Sequence, residues 1–443
     1  MGENHQGGRR MIPQGILPFH LERSEKEITP HAGLTVISEA YRALKVSDSV
    51  RRYLPHPGSN RGFSPEVYVE TLLLLLCGGG NRLEEVRQLE EDVALQRVIG
   101  VKKFPSSDAL GDWLRRMGEQ KGYRALEKVG KGLVRKALEK TPENEFTLDI
   151  DAVGIEAEKR DAAMTYAGYR GYMPIMAYLA ENGLCVFHEF RSGNTSVAEG
   201  IKEILGVCQV RLPEGKRIKY FRSDSAGYQA DVINTCFRDG ITFAIVADLD
   251  SAVREAISEI PKNSWKRFKT KDGIPMDKEI AETVHIQNRG ERAFRLIVQR
   301  WRPAQLSLFT QDGFGYHAIA TNSTLPAEEA VHWYNGRCNS ENFHKELKGG
   351  FGMEYVPCGE LEANAVFFSI GVLAYNLVIA LKRIFLPESW WSKTIHTLRW
   401  ELIQVAGHLV HHSRQWILKV SGIPDEIFEL WRVLRWQLLL ETG

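Results

Sequence analysis

Six cysteines are scattered through the 443 residues, and no two of them form a C-x-x-C pair. Cys77, Cys185, Cys208, Cys236, Cys338 and Cys358 therefore offer neither a zinc-ribbon spacing nor a dense disulfide framework, and they fit reduced thiols. An excess of charge is also missing. Lys and Arg number 57 against 56 Asp and Glu, a net charge of +1, so any nucleic-acid surface has to be found locally rather than in the whole-chain balance. There is no low-complexity tract, and with 43% apolar and 26% charged residues a disordered or fibrous chain is excluded. Arg9 and Arg10 are not followed by an apolar stretch and a small-residue cleavage site, so export is not expected and a cytoplasmic location is. Long apolar runs are scarce. Val67 to Asn81 is broken by Glu70 and ends at three glycines, and Ala365 to Leu381 carries Ser369 and Asn376. Both read as buried core helices rather than bilayer spans.

The length exceeds what one hydrophobic core usually holds, which favours two or three domains. From about Thr35 to Glu139 apolar residues recur at helical spacing, as in Ser64–Cys77, Arg82–Leu95 and Asp108–Met117. The stretch 101–140 holds eleven Lys and Arg against five Asp and Glu, the local excess that a phosphate backbone attracts. At Phe146 the period changes: FTLDIDAVGI alternates as a strand does. AYLAENGLCVFHEF reads as a hairpin turning at Glu181-Asn182-Gly183, and SVAEGIKEILGVC as a helix capped by Asn194, Thr195 or Ser196. KRIKYFRSDS is a strand, Gln229 to Asp239 a helix, and ITFAIVAD another strand, an α/β alternation. Residues 251–322 read as mostly extended, a β-rich insertion, and after Pro326 the chain turns helical to its end.

Three carboxylates stand out. Asp151 follows a predicted strand, Asp224 ends another, and Glu341 lies in the helix expected from Ala327 to Lys348. Strand ends and a nearby helix are places from which such side chains converge. Two hard cations roughly 4 Å apart, held by oxygen ligands, activate an attacking water or 3′-hydroxyl and stabilise the leaving oxygen. Tyr334, Arg337, Glu341 and Lys348 stand at offsets of three, seven and fourteen, so a continuous helix aligns them in one stripe, an acid beside phosphate-binding cations. Glu346 projects to the opposite side, and Gly336 is the point where the helix would break. Asp149 shares a strand face with Asp151 and is the alternative first ligand or its supporting partner.

The segment YNGRCNSENFHKELK matches, position by position, the Y-x2-R-x3-E-x6-K signature and so resembles the bacterial insertion-sequence DDE transposases. LDIDAVGIE resembles that family's first acidic strand and FRSDSAG its second, in the order D, D, E; GYMPIMAYLAENGL and FRSGNTS are also similar to it. One departure is Ala152, where the family usually has Ser or Thr.

The resemblance implies an α/β fold with an RNase H-like catalytic core and a β-rich insertion, flanked by helical N-terminal and C-terminal regions. On it the chain divides into a helical DNA-binding region (1–144), the first part of the catalytic core (145–250), the β-rich insertion (251–322), the core helices carrying the Y-R-E-K residues (323–386) and a helical C-terminal region (387–443). It further implies cut-and-paste transposition with Mg2+, or Mn2+ in its place, on double-stranded DNA at terminal inverted repeats. A homodimeric synaptic complex in the bacterial cytoplasm, associated with the nucleoid, goes with it. By motif register Asp151, Asp224 and Glu341 are the catalytic metal ligands, and Tyr334, Arg337 and Lys348 the contacts to DNA. Trp301 and Trp333 are candidates to stack on an unpaired base. A metal-dependent nuclease of the same fold, or a binding protein descended from a transposase, are the alternatives.

Overall fold

The computed structural model of the protein describes residues 21–58, 62–303 and 313–442. The reading of the first ten residues lies outside the described residues. A short strand, β1 (Ile28–Thr29), leads into helices α1 (Leu34–Ala43), α2 (Val46–Tyr53) and α3 (Pro65–Gly78). α3 accounts for the first apolar run: Pro65 suits its first turn, where the missing N–H is no loss, and Gly79 ends it at φ +110°. Two short helices follow, α4 (Arg87–Glu90) and α5 (Val93–Ile99), the latter capped by Asp92, whose carboxylate accepts from the Leu95 amide at 2.8 Å. Longer helices α6 (Ser107–Glu119) and α7 (Gly122–Glu139) complete the expected helical region.

The period-two segment becomes strand β2 (Glu145–Ala152). Three short strands, β3 (Ile155–Glu156), β4 (Ala163–Met164) and β5 (Arg170–Tyr172), make a separate small sheet before the chain returns as β6 (Ile175–Leu179) and β7 (Cys185–Glu189). The β6–β7 hairpin turns where predicted, with Gly183 at φ +79° supplying a conformation costly to other residues. Helix α8 (Ile201–Arg211) starts later than the capping residues suggested. Ser196 instead closes a turn, accepting from the Ala198 amide at 3.3 Å, and Gly200 at φ +79° begins the helix. Strand β8 (Arg217–Ser223), helix α9 (Ala230–Arg238) and strand β9 (Thr242–Val246) follow as expected.

The insertion, expected to be mostly extended, opens with a helix, α10 (Ser251–Ser258), because Asp250 caps the Val253 amide at 2.8 Å and VREAI has helical spacing. Its strands are β10 (Lys266–Lys269), β11 (Pro275–His285), β12 (Phe294–Trp301) and β13 (Gly315–Thr321). β13 pairs antiparallel with β9, so one nine-stranded sheet runs β10-β11-β12-β13-β9-β8-β2-β6-β7. Within it β2, β8 and β9 are parallel neighbours, β6 is antiparallel to β2, and β7 is antiparallel to β6, the arrangement of an RNase H-like core.

Beyond the sheet, the expected single helix from Ala327 to Lys348 is broken into α11 (Ala327–Asn335) and α12 (Cys338–Lys345), with a wide π turn at Glu346–Gly350. The long α13 (Leu361–Phe385) then passes through the middle of the molecule. It is long and apolar enough to cross a membrane, yet its apolar window is wholly buried inside the protein, packed on α6, α7 and α3. Each Phe or Leu so buried contributes about 1.5–3 kcal/mol, which makes this helix the spine of the core. One of its polar residues is spent on the sheet edge. The Asn376 amide donates to the Cys185 carbonyl at 2.8 Å and its oxygen accepts from the Cys185 N–H at 2.9 Å, closing the free side of β7.

The C-terminal region is not wholly helical. After α14 (Ile395–Leu398), strands β14 (Ala406–His412) and β15 (Gln415–Ser421) form a hairpin to which β1 adds, and α15 (Asp425–Thr442) ends the described chain. The alternation in HLVHHSRQWILKV carries the hairpin, and Ser413 and Arg414, at φ +50° and +66°, make its tight turn.

Candidate active site

β2 and β8 are parallel and in register at Ile150 and Ser223, so the next residues, Asp151 and Asp224, leave the same edge of the sheet side by side. Asp224 then caps the following turn, its Oδ1 accepting from the Ala226 amide at 3.0 Å, which directs Oδ2 toward the neighbouring strand end. The two carboxylates share a cation. One nitrogen of Arg337, Nη2, lies 3.1 Å from Asp151 Oδ2 and 3.7 Å from Asp224 Oδ2.

Arg337 reaches them because of the helix break. The Arg337 N–H bonds back to the Tyr334 carbonyl at 2.9 Å, a tightened turn, and Gly336 sits where a side chain would come within 2.6 Å of Arg222. Arg222 uses that gap. It donates from Nη1 to the Trp333 carbonyl at 2.7 Å, and from Nε and Nη2 to both oxygens of Asp149 at 2.8 and 2.7 Å. Asp149 is thus the fully buried anchor of an ion pair with Arg222 beneath the strand ends, while Asp151 faces Arg337. Burial pushes the Asp149 carboxyl up to about 6, against the pull of Arg222, so the pair is ionised at neutral pH.

Asp151 is only 16% exposed, and its carboxyl is also pushed up to about 6. Burial is the main cause; Asp224 and Glu341 add to it, and Arg337 opposes it. Glu341, itself exposed in α12, is therefore near enough for its charge to be felt at Asp151. His344, one turn further on, is buried with Nε2 3.6 Å from Asp151 Oδ2. Burial, then Arg337 and Lys348, lower its pKa to about 4, so the ring is neutral at pH 7 and the contact is no salt bridge. Among the described residues neither of its ring nitrogens has a hydrogen-bond partner.

The expected stripe of four does not form, because the break and the π turn change the helical phase. Tyr334 is buried against the cluster beneath β13, 6.1 Å from the His317 ring centre to centre. Lys348 donates to the Gly154 carbonyl at 3.0 Å, tying the π turn to the loop after β2. Glu346 has the structural role its direction suggested, accepting the Ile395 amide at 2.8 Å. Trp301 packs at the end of β12 with Lys278 Nζ 5.1 Å from its ring, and Trp333 stands edge-on to Tyr220. Asp149, Arg222 and His344 were not picked out as a group by sequence reasoning; the one available signal was Asp149 on the same strand face as Asp151.

Among the described residues no three His, Cys, Asp or Glu side chains are already gathered as a metal cage. The residues nevertheless fit a hard divalent cation. The donors are carboxylate oxygens, Asp224 and Glu341 both add negative charge felt at Asp151, and the His344 nitrogens, without a hydrogen-bond partner among the described residues, mark a polar space beside it.

Paired carboxylates at adjacent parallel strand ends, with a third acid on a nearby helix and an arginine between, define an enzyme of phosphoryl transfer on an RNase H-like fold. The family described as transposase DDE domain group 1 matches residues 19–434, so the chain belongs to that family and is a DNA-cleaving and strand-transferring enzyme, a DNA transposase. Members of the family use divalent metal ions. No curated protein matches the chain. Among solved structures it is similar to a piggyBac transposase in a synaptic complex with hairpin DNA, seen by cryo-electron microscopy, at 11% identity and a TM-score of 0.46, over 86% of this chain and 83% of that one.

Proposed function

We propose that the protein moves an insertion sequence by a cut-and-paste route, with Asp151, Asp224 and Glu341 as its catalytic acids. The observation that carries this is the meeting of Asp151 and Asp224 on one guanidinium nitrogen at the ends of β2 and β8. Mg2+, or Mn2+ in its place, would be held by the three carboxylates and would supply Lewis-acid activation of the attacking oxygen and charge relief for the leaving one. Glu341 lies on α12, close enough for its charge to act on Asp151. Arg337 balances the aspartates while no cation is bound. Once their charge is otherwise neutralised, its fork is available to a phosphate of the DNA end. His344 packs behind Asp151 and limits the directions in which that carboxylate turns. Lys348 holds the loop after β2 against the π turn and is the second cation toward the DNA. Tyr334 supports the helix break from below, with its hydroxyl the only part suited to a phosphate.

In this reading residues 1–144 are the DNA-binding region, the substrate is the pair of terminal inverted repeats together with target DNA, and two copies join in the synaptic complex. The protein acts on cellular DNA in the cytoplasm of a bacterium. The experiment incubates the protein with a pre-cleaved transposon end and a plasmid in Mg2+. Joining of the 3′-hydroxyl to the plasmid is expected, and loss of joining in Asp151→Ala, Asp224→Ala and Glu341→Ala with end binding retained. Full joining by any one of the three removes that residue from the catalytic set.

A further inference from the structure

We propose that the solvent face of α7, extended by the end of α2, docks the sugar–phosphate backbone of duplex DNA. The inference rests on the transposase reading and adds a surface to it, away from the carboxylates. Lys121, Arg124, Lys128, Lys131 and Arg135 recur every three or four residues, and all are exposed. At about 100° per residue they fall within an arc of roughly 80°, and at about 1.5 Å per residue the row is roughly 21 Å long. The opposite side of the helix, with Leu126, Val129, Leu133 and Ala137, is buried, so the orientation of the row is fixed by the core.

Three observations separate this row from an ordinary solvated face. First, its neighbours are of like charge at i, i+3 and i, i+4, a spacing at which cations destabilise a helix, whereas a face that meets only water is usually relieved by alternating signs. Relief within the chain is slight. The carboxylate of Glu127 is taken by Arg211, and Glu139 meets only Arg135, at 3.3 Å; among the described residues Lys121, Arg124, Lys128 and Lys131 have no ion pair. Second, the row continues onto α2. Tyr53 is partly exposed, with Arg52 at 5.7 Å and Lys128 at 5.8 Å from its ring, which places Arg52 beside the row. Third, Gly132 lies at the edge of the row in mid-helix, where glycine costs helix stability. A Cβ there would meet nothing within 4 Å and its φ is not positive, so neither packing nor backbone conformation asks for glycine. What it leaves is a flat strip beside Lys128 and Arg135, open to the close approach of another backbone.

A duplex is the partner whose charge fits: a rigid polyanion with a phosphate every 3.4 Å or so along each strand, bound through counterion release without reading bases. From the end of α7 at Glu139 a short connection leads to Glu145, the start of the strand that carries Asp151, so DNA held on α7 lies in a defined position relative to the carboxylates.

The test is an anisotropy titration of the whole protein, in EDTA, with a fluorescein-labelled duplex of arbitrary sequence and about 30 base pairs, across roughly 50–200 mM salt. For Lys128→Gln/Lys131→Gln we expect affinity to fall about tenfold and the slope of log K against log salt to become shallower by about 0.9 per cation removed. Arg124→Gln alone should show half that change of slope. Gly132→Gln, which adds bulk without charge, should weaken binding while leaving the thermal midpoint as high as in the parent. If the wild type binds this duplex and the charge variants, folded by circular dichroism, give its slope and affinity, the α7 surface is overturned and the transposase reading stands. If the wild type binds no duplex at any salt, both fall.

Discussion

Asp149 and Arg222 form a two-pronged ion pair with 0% and 5% of their side chains exposed, and this pair carries no proposed chemistry. It fastens β2 to β8 beneath the two strand ends, and through the Trp333 carbonyl it fastens both to the helix break. Removing one partner leaves the other as a buried, uncompensated charge. Asp149→Ala is therefore expected to cost about 3–5 kcal/mol of stability, read as a lowered urea midpoint with an unchanged slope. Asp151→Ala, two residues along, should not show that loss. Equal destabilisation by the two would mean that Asp149 and Asp151 share one role.

Much of this architecture was open to inspection in the sequence, because its strongest signals are local. FTLDID alternates, FRSD ends a strand, and ENG turns a hairpin, so Asp151 and Asp224 were placed correctly on their strand ends. The missed features depend on contacts between distant segments. Nothing local says that β13 will pair with β9 and make the insertion part of the main sheet, or that β1 will add to the C-terminal hairpin. The stripe on the signature helix failed for a related reason. Periodicity assumes an unbroken helix, whereas Gly336 admits Arg222, 114 residues earlier in the chain, and the helix changes phase around it. Arg337 consequently faces the aspartates, while Tyr334 is buried.

Gly336 is thus expected to resist substitution. A Cβ at this position would approach Arg222 Nη1 to 2.6 Å, and that nitrogen is already committed to the Trp333 carbonyl. Gly336→Ala has to displace either the guanidinium or α11, at about 1–3 kcal/mol. Because the same turn aims Arg337, strand transfer should fall more than stability alone explains. Parallel measurement of unfolding and of joining at a temperature where the variant is fully folded checks this, and unchanged joining would detach the turn from the site.

A glycine between the helical region and the core makes a second steric prediction. In Gly118 of α6 an added Cβ would come within 2.7 Å of the Ala363 nitrogen in α13, a backbone atom with little room to move. Gly118→Ala should lower stability by about 1–3 kcal/mol although alanine is the better helix former. A raised melting temperature would show that the two helices are not packed this closely.

His188 gives a pH dependence. It is half-buried between β7 and α13, with Nε2 3.0 Å from Ser369 Oγ, and the desolvation of its ring lowers its pKa from 6.5 to about 3, with Arg211 adding to the effect. The unfolded chain binds the proton more readily, so the stability tied to the neutral ring is complete above pH 6.5 and is lost as pH falls toward 3. The full span amounts to roughly 5 kcal/mol. Urea midpoints should drop over this window, and His188→Gln, which keeps a polar group but cannot charge, should flatten the drop. A parallel pH profile in the variant would assign the acid sensitivity elsewhere.

Asp151 works in the opposite sense. Its folded carboxyl is raised from 3.8 to about 6, so the native state favours the protonated form, and stability is complete below pH 3.8 and lost as pH rises through 6. At neutral pH the ionised side chain costs on the order of 2–3 kcal/mol, even with Arg337 beside it. Asp151→Asn imitates the protonated form and should abolish strand cleavage while raising the urea midpoint at pH 7 in EDTA. Below pH 4 the two proteins should unfold alike. Adding Mg2+ at pH 7 should stabilise the wild type, since binding to the native state offsets the carboxylate repulsion, and should do so less in the variant. An asparagine variant no more stable than the wild type at pH 7, together with equal Mg2+ stabilisation of both, would mean that Asp151 is not the strained acid of a cation site.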